Sequence, residues 1–170
     1  DKARSGGILC DIGSHQIEQF LHYAGEEDAR IDMSRTGHFG GPDHPGFEDF
    51  GDCALTGAKG ATFYFRVDWF TPDGLGSWGD SRVFVIGDRG TLELRKTIDP
   101  ATEGETSNVV ILVDRTGEHR FCGGGKIGSP FFGQMILDCM HRTETAMSQE
   151  HCFKAAELCI RASQNALRIG

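Results

Sequence analysis

The hydrophobic period of this chain changes twice, and that order limits the folds open to it more than any single motif. Residues 8–24 carry a helical repeat, in which Leu9, Ile12, Phe20, Tyr23 and Ala24 share one side and read as the inward face. Gly25 then supplies a stop. The middle of the chain alternates instead, with Phe63, Phe65, Val67 and Trp69 as the clearest two-residue repeat. Strand-like runs are expected at Ala29–Arg35, Cys53–Thr56, Ala61–Phe70, Arg82–Ile86, Thr91–Arg95, Val109–Asp114 and Glu118–Cys122. Short glycine turns (Gly57–Gly60, Gly87–Gly90, Thr116-Gly117) separate several of these runs and read as hairpin connections. A polar insert occupies Thr97 to Ser107. The last third returns to a helical repeat. Ser129-Pro130 opens one helix through Arg142, and Ser148 caps another whose buried side reads as Cys152, Ala155, Ala156, Cys159, Ser163, Ala166 and Leu167. Helix, hairpin-linked strands, then two helices make an α+β domain: a largely antiparallel open sheet with helices on one face.

The 170 residues suit one domain with its own core, so residues 1–170 are read as a unit. A net charge of −8 argues against nucleic acid or an anionic membrane surface as partner, and no signal-peptide pattern or long apolar run points to membrane insertion. The six cysteines (Cys10, Cys53, Cys122, Cys139, Cys152 and Cys159) contain no C-x-x-C pair and read as reduced core or near-core thiols of a cytoplasmic protein.

The polar side of the first helical segment carries the best candidate for chemistry. Asp11, His15, Glu18 and His22 fall in one stripe, and a carboxylate beside an imidazole can orient the ring and raise its basicity. The competing reading is a solvated face with no chemistry. Gly74-Leu75-Gly76-Ser77-Trp78-Gly79 spells a dinucleotide fingerprint, yet a β-patterned run follows where the fingerprint needs a helix. Gly123-Gly124-Gly125-Lys126 fails as a phosphate loop, because Ile127 stands where a hydroxyl residue is needed. His38, Asp43 and His44, or Cys10 with Asp11 and His15, could approach a metal, but neither set has the spacing of a closed zinc site. Trp78 on its glycine-rich loop reads equally as structural or ligand-facing.

Four stretches carry a resemblance to the C-terminal domain of the glucose–fructose oxidoreductase, inositol dehydrogenase and rhizopine-catabolism (Gfo/Idh/MocA) family. They are Gly6–His15, the strand pair around Asp52–Leu55 and Gly60–Phe65, the hairpin Ile86–Leu94, and the closing helices Phe131–Arg142 and Ser148–Arg168. The resemblance implies a glyceraldehyde-3-phosphate-dehydrogenase-like C-terminal fold that supplies the substrate side of an NAD- or NADP-dependent enzyme. It implies a sugar, inositol or polyol as substrate, with oxidation or reduction at a secondary alcohol. It maps the family's aspartate and histidine onto Asp11 and His15, as substrate-binding and catalytic groups; Trp78, from its glycine-rich loop, is added as a further substrate contact. The family's N-terminal Rossmann domain, which binds NAD(P), and its catalytic lysine are absent from the sequence. The chain is therefore expected to be inactive alone, to partner its own Rossmann domain, and to form a homodimer or homotetramer through the sheet face. A non-catalytic oligomerisation or ligand-binding module is the alternative, and a metal-dependent hydrolase built on Asp11, His15, His38 and His44 a third reading.

Overall fold

The computed structural model describes residues 2–98 and 108–170, so most of the expected polar insert, residues 99–107, lies outside the described residues. The fold is α+β and mostly antiparallel, as the order of periods predicts, with the strands arranged in two four-stranded sheets. Contacts gather the chain into two compact units, Asp1–Phe70 with Phe131–Gly170, and Thr71–Pro130.

In the first unit, α1 (Lys2–Ser5), α2 (Ile8–Asp11) and α3 (Gly13–Ala24) precede β1 (Ala29–Gly37), β2 (Phe50–Gly57) and β3 (Thr62–Asp68). Then come α4 (Pro130–His141), α5 (Gln149–Gln164) and the short β8 (Leu167–Ile169), with four further strands, β4–β7 (Arg82–Gly87, Gly90–Arg95, Val109–Asp114 and Gly117–Cys122), between β3 and α4 in the chain. The sheet order is β3-β2-β1-β8, antiparallel except where β8 runs parallel to β1, pairing Arg35 with Leu167. Leu9, Ile17, Phe20 and Leu21 of the N-terminal helices meet Cys53, Leu55, Phe65 and Val67 of the sheet and Ala155, Leu158, Cys159 and Ala162 of α5 in one core. Phe63, Phe65, Val67 and Trp69 thus lie on the helix-covered face, where Phe20 stacks on Phe63 at 5.1 Å. The other face of β2 and β3 is polar. There Arg35 and the hydroxyl of Tyr64 both bond the carboxylate of Asp52, at 3.0 Å from Arg35 Nε and 3.1 Å from Tyr64.

Three expectations of burial need correction. Tyr23 is 63% exposed and Ala24 is exposed, because the buried face of α3 centres on Ile17, Phe20 and Leu21 and leaves both residues in the last turn before Gly25. On α5, Cys152, Ala156 and Leu167 are exposed; Ala155, Leu158, Cys159 and Ala162 form an i, i+3, i+4, i+7 stripe, and Leu167 has left the helix for β8. Of the cysteines, Cys53 and Cys159 are buried and Cys10 half-buried, while Cys122, Cys139 and Cys152 are exposed. Burial pushes the Cys53 thiol up to about 12 and that of Cys159 up to about 11, which leaves both poor nucleophiles.

The second unit is an antiparallel meander, β4 (Arg82–Gly87), β5 (Gly90–Arg95), β6 (Val109–Asp114) and β7 (Gly117–Cys122), in the order β4-β5-β6-β7. Its first hairpin closes on Gly87 opposite Gly90, at the expected turn. Phe84, Ile86 and Phe121 stay exposed on its strands.

A buried carboxylate fastens the end of α4. Asp138 accepts from the hydroxyls of Thr143 and Thr145, at 2.6 and 2.7 Å, and from the amides of Thr145 and Ala146, at 3.0 and 2.7 Å. These bonds favour the charged form and hold the carboxyl well below its ordinary range. A depressed folded-state value contributes stability above the unfolded value near 3.9, and that contribution fades as pH falls through the folded one. Asp138→Asn is therefore expected to lower Tm at pH 7, with the gap to the wild type narrowing below about pH 4. Thermal melts followed by circular dichroism across that range check it, and a gap independent of pH would contradict it.

Candidate functional site

The N-terminal turn is built on two glycines. Gly6 and Gly7 have φ of 81° and 83°, a left-handed region that disfavours side chains. They turn the chain from α1 into α2, and the Ser163 hydroxyl of α5 donates to the Gly6 carbonyl at 3.1 Å. Gly7 is the N-cap of α2 and has no side chain with which to cap it. Gly7→Ala is expected to cost about 1–2 kcal/mol from the backbone alone. Denaturant titration measures it, and an unchanged midpoint would contradict the strained turn.

The expected single helix is broken at Ile12, so Asp11 ends α2 and His15 stands in the first turn of α3. Both side chains are exposed. Among the described residues, neither carboxylate nor ring has a side-chain partner, and no bond joins the two. Ser14 donates to the Asp11 backbone carbonyl at 3.0 Å and covers the break. The pair is presented outward from a core-anchored element.

Of the rest of the stripe, Glu18 is engaged and His22 is exposed. Glu18 meets the His151 ring of α5 at 3.0 Å, and the His22 and His151 rings lie 6.5 Å apart. These residues border an open groove of about 440 Å³ with Phe131, Ala146, Met147 and Ser148. Asp11 borders a different, small cavity of about 20 Å³, shared with Lys2, Phe47, Glu48 and Trp69 among others. That is room for about one water.

The loop histidines are occupied or outlying. His38 donates from Nε2 to the Gly41 carbonyl at 2.7 Å, and its Nδ1 lies 3.1 Å from Asp49. Asp43 and His44 are exposed. Among the described residues, no three His, Cys, Asp or Glu side chains gather as a metal site would require. Trp78 belongs to the second unit and is 82% exposed. The Gly74–Gly79 run lies in the loop ahead of β4, not at a helix N-terminus, so it does not fit a dinucleotide.

Sequence reasoning missed Glu48, a buried carboxylate that bonds both the Ile8 amide and Lys2. The only trace of it is an acidic pair, Glu48-Asp49, set between Phe47 and Phe50.

The sequence model of the GFO/IDH/MocA C-terminal domain matches residues 1–93, the part that holds the glycine turn, Asp11, His15 and Glu48. The chain belongs to that family. No curated relative matches it. A protein from Erwinia carotovora atroseptica SCRI1043, assigned to the oxidoreductases, is 54% identical, and the chain covers 100% of itself and 50% of that structure at a TM-score of 0.94. A structure from Thermotoga maritima, also assigned to the oxidoreductases, superposes at a TM-score of 0.79 with 16% identity, covering 98% of this chain and 46% of that one. A variant of KijD10, a 3-ketoreductase from Actinomadura kijaniata in complex with TDP-benzene and NADP, gives 0.66 with 17% identity, covering 95% and 46%. At those lower identities the likeness shows the fold alone. The GFO/IDH/MocA domain described here spans half the length of the Erwinia protein or less than half of the other two. It is a C-terminal domain of an oxidoreductase family.

Proposed function

We propose that the chain is the substrate-side domain of an NAD(P)-dependent oxidoreductase acting on a secondary alcohol of a sugar, inositol or related polyol, and that it is inactive alone. One observation carries this reading: Asp11 and His15 stand exposed on successive turns, without a side-chain partner among the described residues, on an element anchored in the core. A histidine so placed can take or return a hydroxyl proton, and a carboxylate on the neighbouring turn can bind an adjacent hydroxyl. NAD or NADP would be held by a separate N-terminal Rossmann domain, since no glycine run of this chain fits a dinucleotide. A 3-ketoreductase that shares the fold is seen with NADP, which supports a nicotinamide cofactor and a carbonyl–alcohol reaction. Trp78 is proposed as a further substrate contact, supported by its exposure.

A homodimer or homotetramer through a sheet face belongs to the same proposal. The exposed Phe84 and Ile86, which share one face of the second unit's sheet, support it better than the strand of Phe63 to Trp69, which the helices cover. A cytoplasmic setting is proposed on the free thiols. No helix among the described residues is long and apolar enough to cross a membrane.

The test is an absorbance assay of NAD(P)H over a panel of sugars, inositols and polyols with the corresponding ketones. It compares the full-length protein carrying this domain with the isolated chain. Turnover by the full-length protein and none by the isolated chain is expected. Turnover by the isolated chain, or activity only on substrates without a hydroxyl or ketone, would overturn the reading.

A further inference from the structure

We propose that Glu48 is a positioning residue for Asp11 and His15: it sets α2 from 40 residues along the chain by capping the amide that Gly7 leaves without a partner. Glu48 Oε2 accepts from the Ile8 amide at 3.1 Å, and Oε1 takes the Lys2 ammonium at 2.7 Å. The side chain is only 6% exposed, so the charge is kept in the interior by those two partners. The glycine turn is shaped around it. A Cβ on Gly7 would stand 2.1 Å from Glu48 Oε2, which is space the carboxylate already fills.

The carboxylate is itself mounted rigidly. The next residue, Asp49, donates its amide to the Gly37 carbonyl at 3.1 Å and accepts from the Trp69 amide at 2.9 Å. Its carboxylate takes the amides of Phe39 and Gly40 at 2.9 and 2.7 Å. Glu48 thus projects from a post tied to the start of the 38–47 loop and to the end of β3. Asp11 borders the same small cavity as Glu48 and Trp69, so the seat of α2 on this post fixes where Asp11 points. His15 follows across the short break at Ile12.

A purely structural carboxylate exists in the same unit for comparison. Glu26, 3% exposed, accepts from the amides of Lys59 and Ala61 at 2.8 and 3.2 Å and shapes the β2–β3 turn, at the other end of α3 from Asp11.

The inference rests on the function proposed above, and its test separates the two. In the full-length protein, Glu48→Ala is expected to lower kcat about 10- to 100-fold with a smaller change in KM, as small misplacements of catalytic groups do. Glu48→Gln, which keeps an acceptor for Ile8, is expected to recover most of that loss. Glu26→Ala is expected to lower Tm and leave kcat unchanged. If Glu48→Ala does not fold, Glu48→Asp decides: the shorter side chain is expected to fold with a reduced kcat. A wild-type kcat in Glu48→Asp or Glu48→Ala, or an equal loss in Glu26→Ala, would overturn the proposal. A wild type without oxidoreductase activity would overturn the function instead. In that case the His15 ring signals in proton–carbon NMR still decide the positioning, being expected to shift in Glu48→Asp and not in Glu26→Ala.

Discussion

Replacing His15 by alanine in the full-length protein is expected to lower kcat/KM by about 10²- to 10⁴-fold, the range typical of a lost general acid–base group. The residue is exposed in the first turn of α3 and has no side-chain partner among the described residues, so its removal leaves none of their buried groups unpaired. Stability should therefore hold while catalysis falls. The same logic separates Asp11→Asn, which keeps the shape and removes the charge. That change is expected to raise KM, since the charged acceptor for a substrate hydroxyl is lost. Steady-state kinetics with NAD(P)H absorbance, together with thermal melts, measure both. A His15→Ala protein with wild-type kcat/KM would leave the family fold standing and remove the histidine from the chemistry.

Leu158→Ala is expected to destabilise the fold by about 2–5 kcal/mol, the range for truncating a buried leucine. Leu158 is 0% exposed and lies on the buried stripe of α5 between Ala155 and Ala162. Small residues flank it, so few neighbours can relax into the space that truncation leaves. The same helix holds the glycine turn through Ser163 and accepts the Cys10 thiol at the Cys159 carbonyl, 3.6 Å away. Loosening α5 should therefore also loosen the turn that carries Asp11. Urea unfolding followed by circular dichroism gives the free energy, and a loss below about 1 kcal/mol would contradict a packed core at this position.

Local signals in the sequence were enough to place most elements. The β4–β5 hairpin was legible because Gly87 and Gly90 flank two short residues of turn between alternating runs. The cap of α5 was legible because a serine precedes a helical repeat, and Ser148 does accept from the His151 amide at 3.2 Å. What failed depends on partners distant in sequence. β8 pairs with β1 across more than a hundred residues and spans only Leu167–Ile169, so no local pattern marks it. The burial of Phe63, Phe65, Val67 and Trp69 was correctly expected to lie on one side of the sheet, but the covering helices take that side. The face left open is held by Arg35, Asp52 and Tyr64 instead.

The candidate site divides the same way. Asp11 and His15 could be named from residue type and from the resemblance of Gly6–His15 to the family's segment. Spacing alone could not rank them above Glu18 and His22, which share their stripe. The structure separates Glu18, which is bonded to His151, from Asp11 and His15, which are left open; His22 is exposed as they are, its ring 6.5 Å from that of His151. Glu48 had no sequence signal of comparable strength, because its role depends on a long-range bond to an amide that two glycines expose.

The measurement that bears most directly on the central claim is the histidine ring spectrum of the full-length protein with NAD(P)H, titrated with a substrate found by the absorbance panel. The His15 ring signals are expected to move with saturation, while those of His44 and His119 stay fixed. A His15 signal unmoved at saturating substrate, with turnover intact, would contradict the assignment of this domain's Asp11 and His15 to the reacting alcohol.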